Sequence, residues 1–423
     1  MDDRQLEIGY KFFDLETKYG SKSNFIAPIE PPVKGSIPIS TRTELEAISE
    51  NLRKKYHLTA DIDLEGTEWV PIGTDKNPFA GVFDGQGFEI KNLKIADGSG
   101  LGIGLFSSSG EKAIIKNIGL NRTDIIGPVY IGGICGQNRG VIDNCYGKGQ
   151  VISSGISSFV GGVCGVNNGS ISNCYNMGKI SAHSKTNMSG PSAGGICGHN
   201  NRGNVSNCYN TGPIFSSGTE SGAGGICGSS NDPITNCFNT GKVSVAGTWT
   251  KAGGICGNSD TVDNCFNKGL VSASGDFAGA GGICGNNNKL TTNSYNTGKV
   301  ASSGEVSIAG GICASNGSGS TLNNCLNMSK VSASRSWSSA GGICGVCHGY
   351  EHEENIVENC YNAGELSASG KRSSAGGICG HNRAPKYAIG ACYCLDLYNS
   401  TDGIVDTPKK IKTMIARAGF NME

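Results

Sequence analysis

Nineteen cysteines in 423 residues are the first side chains here able to do chemistry, as metal ligands, redox groups or disulfide partners. One local string stands out. Cys344-Gly345-Val346-Cys347-His348 has the Cys-x-x-Cys-His form of a c-type haem attachment site. Cys347 and His348, with Glu351, His352 and Glu353, also offer the thiolate, imidazole and carboxylate groups that hold zinc. Cys344, however, belongs to a longer recurring pattern, and His348–Glu358 reads as a polar loop. No metal and no cofactor are expected.

The other cysteines form eight pairs, Cys135/Cys145 through Cys379/Cys392, while Cys284 faces Ser294. Cys347 and one of Cys392/Cys394 are left over. A secreted rod would join the pairs as disulfides. A ladder of small buried hydrophobes needs only thiols, and Ser294 shows that the spacing survives without sulfur. Paired carboxylates, the usual tools of sugar-cleaving enzymes, are hard to find. Asp143, Asp263, Glu358 and Glu365 are scattered, and the six histidines lie in corner loops or near the N-terminus. A non-enzyme is expected.

The elements that position these residues repeat. Gly-Gly-(Ile/Val)-Cys occurs nine times, at intervals of 29, 33, 30, 29, 28, 29, 31 and 35 residues. An Asn-Cys-(Tyr/Phe)-Asn block follows each copy, then Gly-x-(Val/Ile)-Ser. From the second cysteine to the next first cysteine is 19 residues in seven of eight cases, counting Ser294 as cysteine. From first to second the gap runs from 9 to 16, so length variation gathers at one corner. Short blocks of small, apolar and polar residues bounded by Gly, Asn and Ser predict strands, and helical repeats lack their 3.6-residue pattern here. The expectation is an all-β, right-handed parallel β-helix with about 29 residues and three short strands per coil.

Composition supports that layout. Glycine counts 67 and asparagine 39, both suited to corners with φ > 0. Collagen is excluded, since the glycines have no three-residue period. No apolar run approaches 18 residues, so no membrane insertion is expected. Thirty-five basic against 35 acidic side chains argue against nucleic acid.

The division expected is a non-repeat segment 1–39, a β-solenoid 40–400 and a C-terminal cap helix 401–423. Within the solenoid, 40–69 is an N-terminal cap, 70–130 the first coils and 131–400 the nine repeats. A helix capped by Ser40 or Thr41 would bury Leu45, Ile48 and Leu52. Met1-Asp2-Asp3-Arg4 leads into no apolar export segment.

Leu64-Glu65-Gly66, Pro71-Ile72-Gly73, Phe79–Gly87 and the repeated Gly-Gly-Ile-Cys-Gly…Asn-Cys-Tyr-Asn-x-Gly resemble the bacterial GLUG-motif repeat proteins over about 40–400. Those are large secreted or surface proteins, including adhesins and non-catalytic regions of IgA-specific metallopeptidases. The resemblance implies a β-solenoid with a surface or adhesive role and no catalytic residue. Cysteine at the ladder positions departs from that pattern. No His-Glu-x-x-His is present, and His352-Glu353-Glu354-Asn355 lacks the second histidine.

Four ladders are expected. The first cysteines are Cys135, Cys164, Cys197, Cys227, Cys256, Cys284, Cys313, Cys344 and Cys379. Amides at Asn144, Asn173, Asn207, Asn236, Asn264, Asn293, Asn324 and Asn359 should satisfy corner backbone groups. Aromatics such as Tyr175 and Phe238 should pack between coils. Lys179, Lys242, Lys299 and Lys330 form either a cationic stripe for an anionic glycan or, preferably, solvated lysines that keep edges apart. The leading function is adhesion or ligand presentation at a bacterial surface, binding a host or cell-surface glycan or protein through the variable corner loops. Alternatives are a phage or prophage tail component and a carbohydrate-active β-helix.

Overall fold

The computed structural model describes residues 29–395, apart from 97–99, 154, 185–189, 350–352 and 385–386, and also the strand 404–406. The chain winds as a parallel β-solenoid of about 11 turns. Equivalent residues of successive coils pair in register: Cys135 with Cys164, Cys164 with Cys197, Cys197 with Cys227. Three parallel sheets run along the rod, as the three-sided coil predicts. Two sides of a typical coil are split by a corner residue, so each carries two short strands. In one coil these are Cys164–Asn167 with Ser170–Ser172, and Tyr175–Asn176 with Lys179–His183. Ser192–Gly194 then supplies the single strand of the third side.

The interior is thin. One coil contributes Ala252, Ile255, Cys256, Val262, Cys265, Val271 and Ala273, each at most 2% exposed. Small side chains suffice because the three sheets approach closely. The Gly-Gly pair is part of that approach and does not serve φ > 0 as expected. A Cβ on Gly253 would strike the Cys256 carbonyl, and one on Gly254 the Gly282 carbonyl and the Asn267 side chain.

The N-terminal cap folds as its signals predict. Thr41 caps an α-helix, Arg42–Glu46, with Glu44 closing a capping box, and a 3-10 turn Ala47–Glu50 follows. Leu45, Ile48 and Leu52 are buried. Ile37–Ile39 pairs in parallel with Lys55–Leu58, so the regular structure begins inside the segment expected to be non-repeat. At the other end Ile404–Asp406 pairs with Tyr393–Leu395, which carries strand pairing past residue 400. The helix expected over 407–417 lies outside the described residues.

Candidate functional site

The two asparagines of Asn-Cys-(Tyr/Phe)-Asn do different work. Asn144, Asn173, Asn207, Asn236, Asn264, Asn293, Asn324 and Asn359 all sit at φ between 49 and 56. All but the exposed Asn359 are half-buried, and their amides bond one another or a neighbouring side chain, as when Asn264 Nδ2 donates to Asn236 Oδ1 (2.7 Å) and Asn173 Nδ2 to Asp143 Oδ1 (2.7 Å). The backbone-satisfying role expected of them belongs instead to the second asparagine. Asn239 is fully buried; its Nδ2 donates to Gly241 O and to Asn267 Oδ1, both at 2.8 Å, and its Oδ1 accepts from Gly241 N and Asn210 Nδ2. The same pattern runs from Asn176 to Asn362. A further column, Asn138, Asn167, Asn200, Ser230, Ser259, Asn287, Asn316, Cys347 and Asn382, runs along the variable-length corner and is buried up to Cys347 and exposed at Asn382.

The cysteines form two ladders across coils. Thiols of the first bond carbonyls two residues ahead, as Cys164 Sγ does to Val166 O (3.1 Å). Thiols of the second bond carbonyls two residues behind, as Cys174 Sγ does to Ser172 O (3.0 Å). Ser294 Oγ reproduces that bond to Thr292 O (2.7 Å), which explains why serine fits. All 19 cysteines are buried and present as thiols. Burial raises the Cys227, Cys237 and Cys256 thiols well above the ordinary range, which makes them poor nucleophiles.

The lysine column is broken, and the aromatic column is a packing ladder. Lys179, Lys242, Lys299 and Lys330 are exposed, but Pro213 and Leu270 occupy the same column between them, and Lys330 pairs with Glu365 at 3.3 Å. The aromatic column is a continuous stack from Tyr146 to Tyr295, with centroids 4.6 to 5.3 Å apart. Tyr209, Phe238, Phe266 and Tyr295 are buried, so it packs between coils as expected. In the long loop, His348 is half-buried and its protonation is disfavoured by burial and then by Arg383, while Glu353 is exposed. Glu351 and His352 lie outside the described residues.

The exposed aromatic surface lies at another corner. Each coil turns from Gly-x-(Val/Ile)-Ser to Ala-Gly-Gly through a residue three places before that alanine. In successive coils it is Glu220, Trp249, Phe277, Val306, Trp337 and Arg372, all with φ between 56 and 61. A left-handed conformation costs a bulky L-residue about 1–2 kcal/mol, and Val306 is β-branched. A ladder holds the strain: Trp249 N donates to Asp276 O (3.0 Å), Phe277 N to Glu305 O (2.9 Å), Val306 N to Ser336 O (3.0 Å) and Trp337 N to Lys371 O (2.8 Å). The turn throws the side chains outward. Trp249 is 52% and Trp337 50% exposed. Phe277 stacks on Trp249 at 4.1 Å and 4°, and the Arg372 guanidinium lies over the Trp337 ring at 4.5 Å. The sequence reading passed over this column because it lies in the constant 19-residue segment. A fixed offset carrying Glu, Trp, Phe, Val, Trp and Arg was the available signal.

Several carboxylates near the start of the rod are paired. A hydrogen bond from Lys91 holds Asp61 below the ordinary range. Glu89 is raised by burial but lowered overall by hydrogen bonds from Tyr146, Asn121 and Lys148. Among the described residues, the one group of three His, Cys, Asp or Glu donors is Cys344, Cys347 and Cys379.

With this geometry in place, a family model for the GLUG motif matches residues 189–214. The chain carries a GLUG motif. That segment spans the Ser192–Gly194 strand, Cys197 and the Asn207-Cys208-Tyr209-Asn210 block. The chain is also 35% identical over 117 residues to a protein of Evansella cellulosilytica described as a Gly-rich membrane protein, covering 25% of this chain and 14% of that one. It is 30% identical over 122 residues to halomucin of Haloquadratum walsbyi, covering 26% of this chain and 1% of halomucin. The matches thus span a small part of either relative. A crystal structure of an immunoglobulin A1 protease-like protein from Bacteroides ovatus aligns with a TM-score of 0.47 and 25% identity, over 56% of this chain and 76% of that chain. No helix among the described residues is long and apolar enough to cross a membrane.

Proposed function

We propose that this GLUG-bearing β-solenoid is a non-enzymatic rod at a bacterial cell surface, and that it binds carbohydrate along the Trp249–Arg372 corner. The observation that carries the reading is the pair of half-exposed indoles, Trp249 and Trp337, held on a strained turn that successive coils stack at about 4.8 Å. An exposed indole on a rigid corner supplies a flat apolar face to the C–H face of a sugar ring at little entropic cost. Phe277 backs the Trp249 ring, the Arg372 guanidinium lies over the Trp337 ring, and Glu220 and Asp276 place exposed polar groups at the same corner. Successive weak contacts along one rod add through multivalency. Surface location is favoured by the relatives named for a membrane protein and for halomucin.

The test is a glycan array read with the full chain, its Trp249→Ala/Trp337→Ala double variant, and a variant lacking 349–354 in the long loop. The double variant should lose about tenfold or more of the signal, two contacts at about 1 kcal/mol or more each, and the loop deletion should keep it. Tryptophan fluorescence gives a second readout, because the third indole, Trp69, is 2% exposed. Array binding that survives in the double variant and disappears in the loop deletion refutes the corner assignment.

A further inference from the structure

The strand Cys344–Cys347 breaks the column that closes the variable corner. At the position of Cys347 every other repeat has asparagine or serine. The amide that closes this coil comes from elsewhere. Asn355, at the far end of the long loop, is fully buried; its Nδ2 donates to His348 O (2.6 Å), and its Oδ1 accepts from Gly319 N (2.8 Å). The insertion therefore replaces the corner amide and leaves position 347 to a thiol with no part in closing the turn.

That thiol points into the first cysteine ladder. Cys347 Sγ lies 3.5 Å from Cys344 Sγ and 3.6 Å from Cys379 Sγ, and the three sulfurs all lie within 4.8 Å of one another. All three side chains are fully buried. A metal bound by sulfur at about 2.3 Å places three coplanar donors about 4.0 Å apart. Two of the three separations are thus about half an ångström short of a trigonal site, and the third lies within 4.8 Å, before any ion enters. Cys379–Asn382 pairs with the strand before it, and among the described residues no strand stacks on its far side, so the site lies near the end of the rod.

We propose that Cys344, Cys347 and Cys379 bind one thiophilic cation, Cu(I), as a three-thiolate site that ties the last two repeats together. Soft sulfur donors select soft cations. Three donors satisfy Cu(I), whereas Zn(II) at a structural site takes four and would have to draw in Cys313, 3.6 Å from Cys344 on the other side. Binding exchanges three S–H protons, released to solvent, for three Cu–S bonds, with no change in oxidation state. Without metal the three thiols are joined by S–H···S contacts: Cys347 Sγ donates to Cys344 Sγ and accepts from Cys379 Sγ.

The test uses the full chain purified under reducing conditions and dialysed against Cu(I) buffered by a competing thiol, with a parallel Zn(II) arm. Bound metal is counted after gel filtration. Cys347→Asn restores the amide that the column carries elsewhere and leaves 18 cysteines in place. Cys145→Ser removes a thiol outside the cluster, by the substitution its ladder already tolerates at Ser294. The unaltered chain and Cys145→Ser should retain about one equivalent of Cu(I), and Cys347→Asn tenfold less, all three showing the same far-ultraviolet circular dichroism. Equal copper in all three, or none in any, overturns the site. One equivalent of zinc in place of copper overturns the Cu(I) assignment.

Discussion

Asn239 and Asn236 stand three residues apart in one Asn-Cys-Phe-Asn block, and the structure assigns them different costs of removal. Asn239 is fully buried and makes four hydrogen bonds: two to Gly241, one to Asn267 and one from Asn210. At about 1 kcal/mol net for each bond, Asn239→Ala should cost about 4 kcal/mol, and more where the Gly241 groups are left buried without partners. Asn236 is half-buried, at φ 54, and its side chain bonds the side chains of Asn207 and Asn264. Glycine takes that φ without strain, so Asn236→Gly should cost about 2 kcal/mol or less, its two bonds counted at the same rate and only half-buried. Urea unfolding of both variants beside the parent, followed by circular dichroism, measures the two differences. Native-state hydrogen exchange at the Gly241 amide then locates the damage, since a solenoid can open locally. If the two substitutions cost the same, or Asn239→Ala costs under 1 kcal/mol, the division of labour argued here is wrong.

Three further outcomes are expected. Ser294→Cys should be neutral or stabilise by up to about 1 kcal/mol, because a buried hydroxyl gives way to a more apolar thiol in the same bonding geometry; thermal unfolding reads it. Gly254→Ala should cost about 3 kcal/mol or more, since its Cβ meets a carbonyl and the Asn267 amide. His199 stacks on Phe159 at 4.8 Å and its pKa is lowered, first by burial. Its neutral form therefore adds stability above the unfolded value of about 6.5, which is lost as pH falls through the folded value. Thermal midpoints should drop from pH 7 to pH 5, and His199→Gln should flatten that drop.

Much of this was legible in the chain. The Gly-Gly-Ile-Cys interval fixes one coil, and the constant 19-residue segment shows that two sides have invariant length. The capping box at Thr41 and Glu44 is equally local, and it folds as its residues dictate. What stayed hidden depends on which neighbours meet across coils. Nothing in Asn-Cys-Phe-Asn says which amide turns inward. The αL turn alternates exposure along the backbone, so the first asparagine sits at the bend and the second under the next coil. The lysines share an offset in sequence, yet Pro213 and Leu270 share it too and break the stripe.

The repeat by itself determined the solenoid, because a 29-residue period with Gly and Asn at fixed offsets admits parallel stacking in one register and leaves no helical alternative. It also determined that the cysteines would align in ladders, as equal offsets along equal coils must. Only the tertiary structure decided which corner is exposed, because outward or inward direction follows from φ at one residue per turn and from the coil stacked above it. It also decided that Cys347, which in the sequence directly precedes the His348–Glu358 loop, shares a buried triangle with Cys344 and Cys379. Two of those sulfurs belong to one strand and the third to a residue 32 positions away from Cys347. Stacking brings them together at a distance that only the spacing between coils sets.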